Sequence, residues 1–187
     1  MLRLATLAAL VAFALPAAAQ TDASIIPDDA PDWRPMAVAI DSAKASGKLL
    51  MVHVYAPWCG WCVRADREVY TDDAIQAYLA EHFEATRVDT DSDAPGDFFE
   101  HDLTMNELAG ALGISATPTT VFVDPASGEL ITKMPGYKDP ETFLYAMQFV
   151  REAAYESQSF PEFIDGRRGA AAADVAAPAL PTADGRP

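Results

Sequence analysis

Residues 49–62 read LLMVHVYAPWCGWC, and their order decides the architecture. Leu49 to Ala56 is a nearly unbroken apolar run, the pattern of a central strand covered on both faces. Trp58-Cys59-Gly60-Trp61-Cys62 then falls where that strand ends and a helix begins. Two residues three apart on a helix share a face and lie close enough for a disulfide. As a staple the pair is weak, because closing a four-residue loop removes only about 2 kcal/mol of unfolded-state entropy, against nearly 5 for a hundred-residue loop. At a helix start it makes chemical sense instead. The orphan N–H groups and the positive end of the helix dipole favour a thiolate at Cys59. A free thiol with a pKa near 8.5 is only about 3% ionised at pH 7, and a two-unit drop makes the thiolate the major form. Cys62, deeper in the first turn, is placed to attack a mixed disulfide at Cys59 and release the product. Gly60 admits a partner backbone, and Trp61 adds an apolar face beside the sulfur. Two other readings stand beside this one: an inert disulfide, and a zinc clip completed by His53, His82 and His101, which show no ligand spacing to one another.

Outward from this stretch the pattern alternates helix and strand. Trp33 to Ser46 reads as a helix with Met36, Ile40 and Ala43 on one face and Gly47 ending it. Beyond the cysteines helix runs to Leu79, with a break near Thr71-Asp72 where Thr71 is a candidate cap. Phe83 to Val88 alternates as a strand. Met105, Leu108, Ala109 and Leu112 recur at helical spacing, closed by Gly113. Thr119–Val123 and Leu130–Met134 are β-rich runs joined by the hairpin loop Asp124-Pro125-Ala126-Ser127-Gly128. Asp139-Pro140-Glu141 starts a last helix that buries Phe143, Met147, Val150 and Ala154. The expected order is αβα β α ββα, a mixed α/β layer architecture without internal repeats.

The ends differ from the middle. Arg3, the apolar run Leu4 to Leu15 and the small-residue site Ala17-Ala18-Ala19 fit an export signal over residues 1–19, too short to span a bilayer. An apolar core helix is the alternative. Export places both cysteines in an oxidising compartment, periplasmic or otherwise extracytoplasmic. Residues 20–32 read as an extended segment and 33–165 as the folded domain. Gly169 to Pro187 holds eight alanines, three prolines and no aromatic residue, so residues 166–187 read as a disordered tail. The 187 residues carry 13 Lys+Arg against 28 Asp+Glu, a formal net charge of −15. That argues against nucleic acid and against anionic membrane surfaces as partners. No heptad or long amphipathic extension suggests anything but a monomer.

Asp89, Asp91, Asp93, Asp97 and Glu100 match positions 1, 3, 5, 9 and 12 of a calcium loop. Position six is Ala94 where the turn needs glycine, Pro95 pushes Ala94 toward extended geometry, and a strand precedes the segment instead of a helix. A solvated acidic loop is the reading preferred here, and no metal is assigned.

The strand–WCGWC–helix arrangement, with Ala116-Thr117-Pro118-Thr119 before the third strand, resembles the thioredoxin superfamily over roughly Trp33 to Phe160. The extended helix after the cysteines, Gly136-Tyr137 with Pro140-Glu141-x-Phe143, and Ala154-Tyr155 with Ser159-Phe160 look more specifically like the SoxW-type thioredoxin-related group. The resemblance implies a three-layer sandwich, a central mixed β-sheet flanked by helices. It implies Cys59 as nucleophile and Cys62 as resolving thiol, with the redox-active disulfide as the only cofactor. Pro118 matches the superfamily's cis-proline, which presents the backbone of Thr117 to an extended substrate; a trans-proline starting a strand is the plain alternative. Gly136 matches a glycine bordering the substrate groove. Three positions depart from the pattern. His53 stands where thioredoxins carry a buried Asp, and Arg87 where they carry a Lys. His53 reads either as a general base near neutral pH or as a hydrogen-bonded core histidine. Trp61 replaces a proline, which bears on the reducing potential. The expected function is an exported thiol–disulfide oxidoreductase acting on disulfide-containing exported proteins; the resemblance alone implies the reductase direction and a membrane thiol-electron carrier as donor. Oxidase or isomerase activity, or a binding module with an idle disulfide, are the alternatives.

Overall fold

The computed structural model describes residue 27 and residues 30–176, the side chains through residue 170. Its elements run α1 (Met36–Ser46), β1 (Leu49–Tyr55), α2 (Gly60–Glu68), α3 (Asp73–His82), β2 (Phe83–Asp89), α4 (Met105–Ala111), β3 (Thr119–Val123), β4 (Leu130–Pro135), α5 (Pro140–Arg151), a 3-10 turn (Ala154–Glu156) and α6 (Phe160–Ala176). The strands form one sheet in the order β2-β1-β3-β4. β1 runs parallel to β2 and antiparallel to β3, and β4 closes a hairpin on β3. The sheet is therefore mixed.

Alternation along β1 sends its side chains into two cores. Leu50, Val52 and Val54 pack with Ile40 and Ala43 of α1 and Leu108 of α4. Met51 packs on the other face with Ala65 of α2, Ile75 and Leu79 of α3, and Phe143 and Met147 of α5. Helices thus cover both faces, giving the three layers expected from the sequence, and β1 is buried from Leu50 to Val54. That explains its continuous apolar reading.

The helix expected to bury Ala154 stops at Arg151, because Ala153 at φ +51° turns the chain and Ala154 falls in the 3-10 turn. Three further boundaries differ from the sequence expectation. α1 starts at Met36, not Trp33, with Pro35 in the cap position; a proline disfavours helical geometry in the residue before it, and Arg34 instead bridges in parallel to Thr86 of β2. Asp72, not Thr71, caps α3, accepting from the Ala74 and Ile75 N–H groups. Its carboxylate reaches two orphan donors, while the Thr71 hydroxyl donates back to the Arg67 carbonyl. The third difference is larger. Residues 166–176, read from sequence as disordered tail, continue α6. Alanine has the highest helix propensity, and tertiary contacts anchor the helix start: Phe163 is buried against Phe149, and Arg168 pairs with Glu141 at 2.8 Å. The expected export signal over 1–19, most of the 20–32 segment and residues 177–187 lie outside the described residues. No helix among the described residues is long and apolar enough to cross a membrane.

Candidate active site

β1 delivers the chain to the sheet's C-terminal edge, and α2 begins there. Cys59 is the N-cap of α2, in extended geometry, and the Cys62 N–H donates to its sulfur at 3.1 Å. The two cysteines are joined as a disulfide with their Cα atoms 5.2 Å apart. Cys59 keeps 5% exposure against 1% for Cys62, so Cys59 is the less covered of the pair. Both pack on Ala56 and Tyr55 at the end of β1. The two flanking tryptophans stand out in solvent, Trp58 at 73% and Trp61 at 54% exposure. Gly60 faces open space, so a Cβ would meet nothing within 4 Å.

A groove adjoins the disulfide, lined by Trp61, Thr117, Pro118, Gly136 and Tyr137. The Thr117–Pro118 peptide is cis, and the Gly136 N–H donates to the Pro118 carbonyl at 2.7 Å. Gly136 adopts φ +77°, the left-handed region that favours glycine. Trp61 and Tyr137 lie with ring centroids 5.5 Å apart. The Arg64 guanidinium sits over both rings, 5.4 Å from one centroid and 4.8 Å from the other. Glu68 Oε2 accepts from Arg64 Nε at 2.8 Å and from the Tyr137 hydroxyl at 2.6 Å.

Beneath α2 lies a buried polar layer. Sheet register aligns Arg87 of β2, His53 of β1 and Thr120 of β3 on one rung. Helix α2 adds Asp66, 1% exposed, whose Oδ2 accepts from Arg87 Nη2 at 2.9 Å. Arg87 also stacks over Tyr55, 4.0 Å from its centroid, so the ion pair reaches the cysteines through that ring. Burial pushes the Asp66 carboxyl above its ordinary range, against the opposing pull of Arg87. His53 Nδ1 lies 2.9 Å from the Tyr70 hydroxyl. Burial, reinforced by Arg87, holds the imidazole well below its usual pKa of 6.5, and burial pushes the Tyr70 hydroxyl up.

The fold thus brings Trp61, which lies between Cys59 and Cys62 in the chain, to one groove with Thr117, Pro118 and Gly136, while His53 and Arg87 lie in the buried layer of the sheet. Trp58 turns away from that groove, its indole Nε1 donating to Asp91 Oδ2 at 2.7 Å. Sequence reasoning missed Asp66, Tyr70, Arg64 and Tyr137 as members of this neighbourhood. Asp66 had a legible signal, since it shares the 62, 65, 66, 69 stripe of α2 with Cys62, Ala65 and Val69. In the acidic loop, Asp89 Oδ1 accepts the Asp91 N–H and Asp91 is held by Trp58. His53 lies in β1, His82 ends α3 and His101 sits in the loop before α4, so the three histidines are not brought together. Among the described residues no group of three or more His, Cys, Asp or Glu is placed to hold a metal ion.

Comparison with known proteins agrees with this geometry. The thiol:disulfide interchange protein DsbD of Ralstonia nicotianae is 26% identical over 110 residues, 59% of this chain but 17% of that protein. The chain therefore spans about a sixth of the length of the curated interchange proteins it matches. Thioredoxin H4 of Arabidopsis thaliana is 30% identical over 100 residues, 53% of this chain and 69% of that one. The solution structure of a thioredoxin from Thermus thermophilus superposes with a TM-score of 0.55 at 26% identity, covering 65% of this chain and 87% of the other. The family described as thioredoxin-like domain matches residues 36–151, and the chain belongs to it.

Proposed function

We propose that this protein is a thiol–disulfide oxidoreductase working through Cys59 and Cys62, exported and acting as a reductase. The observation that carries the reading is Cys59 at the cap of α2, its sulfur accepting the Cys62 N–H beside an open groove. In the reduced protein the Cys59 thiolate attacks a partner disulfide, forming a mixed disulfide and releasing one partner thiolate, which takes a proton from solvent. Cys62, deprotonated, then attacks the Cys59 sulfur and releases the second thiolate. Two electrons pass from the dithiol to the partner, and a dithiol donor regenerates Cys59 and Cys62. Thr117 and Pro118 border the incoming segment, and Gly136 leaves room for its backbone.

Asp66 is the group we assign to the Cys62 proton. It lies one helical turn beyond Cys62 on the same face, buried, with its carboxyl raised by burial. His53 suits the plainer of its two roles, since a buried imidazole held well below 6.5 is a weak base near neutrality. Export and reductase direction rest on the sequence, as does the narrower SoxW-type likeness. Partners are disulfide-bearing exported proteins, with a membrane thiol-electron carrier as the donor.

The test is insulin reduction by dithiothreitol with the full chain. Acceleration that disappears in Cys59→Ser is expected. No acceleration would favour a binding module with an idle disulfide. The reduction potential then gives direction: a value near about −270 mV is expected for a reductase, and one near about −120 mV would make the protein an oxidant.

A further inference from the structure

The clasp formed by Trp61, Tyr137, Arg64 and Glu68 does not enter the exchange chemistry, yet it walls the groove beside the reactive sulfur. Trp61 lies between the two cysteines in sequence, so this wall moves with the disulfide itself. Tyr137, next to Gly136, packs beside Trp61 on the same wall, and Thr117 and Pro118 line the rest of the groove. Glu68 fixes both Arg64 and the Tyr137 hydroxyl, and the guanidinium spans the two rings. The result is a braced aromatic surface, with Trp61 still more than half exposed. Arg64 is paired with Glu68, and Lys138, beside Gly136, donates to the Pro135 and Tyr137 carbonyls, so what the wall itself offers a ligand is its ring faces.

We propose that this wall is a specificity subsite, selecting partner segments that carry an aromatic side chain directly beside the disulfide cysteine. The inference rests on the oxidoreductase reading and names its substrate class. A segment that delivers a sulfur to Cys59 along Thr117-Pro118 places the neighbouring side chain against Trp61 and Tyr137. Aromatic rings gain there from offset and edge-to-face contacts beyond their area burial. Acidic neighbours are disfavoured by the net charge of −15 and by the apolar wall.

The experiment compares tripeptide-centred substrates, Gly-Cys-Phe, Phe-Cys-Gly and Gly-Cys-Gly, each as the mixed disulfide with 2-mercaptoethanol. The reduced full-length protein is assayed with dithiothreitol recycling. One of the phenylalanine peptides is expected to show kcat/KM about three- to tenfold above the glycine control. That ratio falls to near one in Tyr137→Ala and is largely kept in Tyr137→Phe, which retains the ring and loses only the bond to Glu68. A ratio near one in the wild type, or a ratio that survives Tyr137→Ala, overturns the subsite. Turnover of hydroxyethyl disulfide separates the two failures. Turnover without a neighbour preference sinks the subsite alone, while no turnover sinks the oxidoreductase reading and the subsite with it.

Discussion

His53 carries the clearest pH signature of any residue in the buried layer. It faces Arg87 on the same rung, Tyr70 from the end of α2, and through Arg87 the carboxylate of Asp66. Burial first, then Arg87, lowers its pKa in the folded state. Below about pH 6.5 the unfolded chain therefore binds one more proton at this site than the native protein does. The contribution of neutral His53 is complete above about 6.5 and is lost as pH falls from there toward the folded-state pKa. Asp66 works with the opposite sign, because its raised carboxyl takes up a proton in the native state first. Comparing His53→Gln with the parent removes the Asp66 contribution. Urea unfolding between pH 7 and 5.5 is expected to show the parent losing stability more steeply, by up to about 1.4 kcal/mol per pH unit. Parallel slopes would sink the assignment. At this scale the sequence was only partly legible. His53 and Arg87 stood out because they replace residue types known from a resemblance. Asp66 did not, since an aspartate flanked by Arg64, Arg67 and Glu68 reads as a solvated helix face, and only its place in the 62, 65, 66, 69 stripe says otherwise.

Among the elements, the strands and the helices between them were readable because each has a period or a punctuating residue. β1 is apolar apart from His53 and the Tyr55 hydroxyl because both its faces are covered, and Gly47 and Gly113 end α1 and α4 at positive φ. Asp139 caps α5 through the Thr142 N–H, with Pro140 opening the helix as the Asp-Pro-Glu pattern implies. α6 had no such signal. Its alanines and its glycines at 166 and 169 leave no broad apolar stripe, and its placement comes from partners distant in sequence. Phe163, at 4% exposure, meets Phe149 of α5 with centroids 5.4 Å apart, while Arg167 pairs with Glu152. A helix held this way depends on few side chains. Phe163→Ala is expected to cost about 3 kcal/mol, read as a shift in the urea midpoint. The rate of insulin reduction at 25 °C is expected to hold, since α6 packs on α5 and contributes no residue to the groove. A change under about 0.5 kcal/mol would mean that α6 adds nothing to the core.

For the whole molecule, the charge of −15 becomes a statement about encounter. Acidic residues are unevenly placed around the Cys59–Cys62 disulfide. Trp58, directly before Cys59, is bonded to Asp91, and Asp93 follows in the same exposed loop, so one flank of the disulfide is strongly negative. The other flank, at Trp61 and Tyr137, is aromatic, with Arg64 neutralised by Glu68 and Lys138 beside Gly136. An approaching disulfide therefore meets the long-range field of the whole chain and a negative local rim together. Such fields raise the encounter rate of oppositely charged partners by tenfold or more and lower that of like-charged ones. They are screened over about 10 Å at 0.1 M ionic strength and about 3 Å at 1 M. With the protein reduced beforehand, cystamine, a dication, is expected to oxidise Cys59 and Cys62 about tenfold faster than the polyanionic glutathione disulfide at 10 mM salt. Because intrinsic reactivities of the two reagents differ, the informative quantity is how their rate ratio changes with salt. It should fall steeply as sodium chloride rises to 1 M, and less steeply in Asp91→Asn if the local rim adds to the global field. A ratio independent of salt would mean that the acidic surface serves solubility and has no hold on which disulfides reach Cys59.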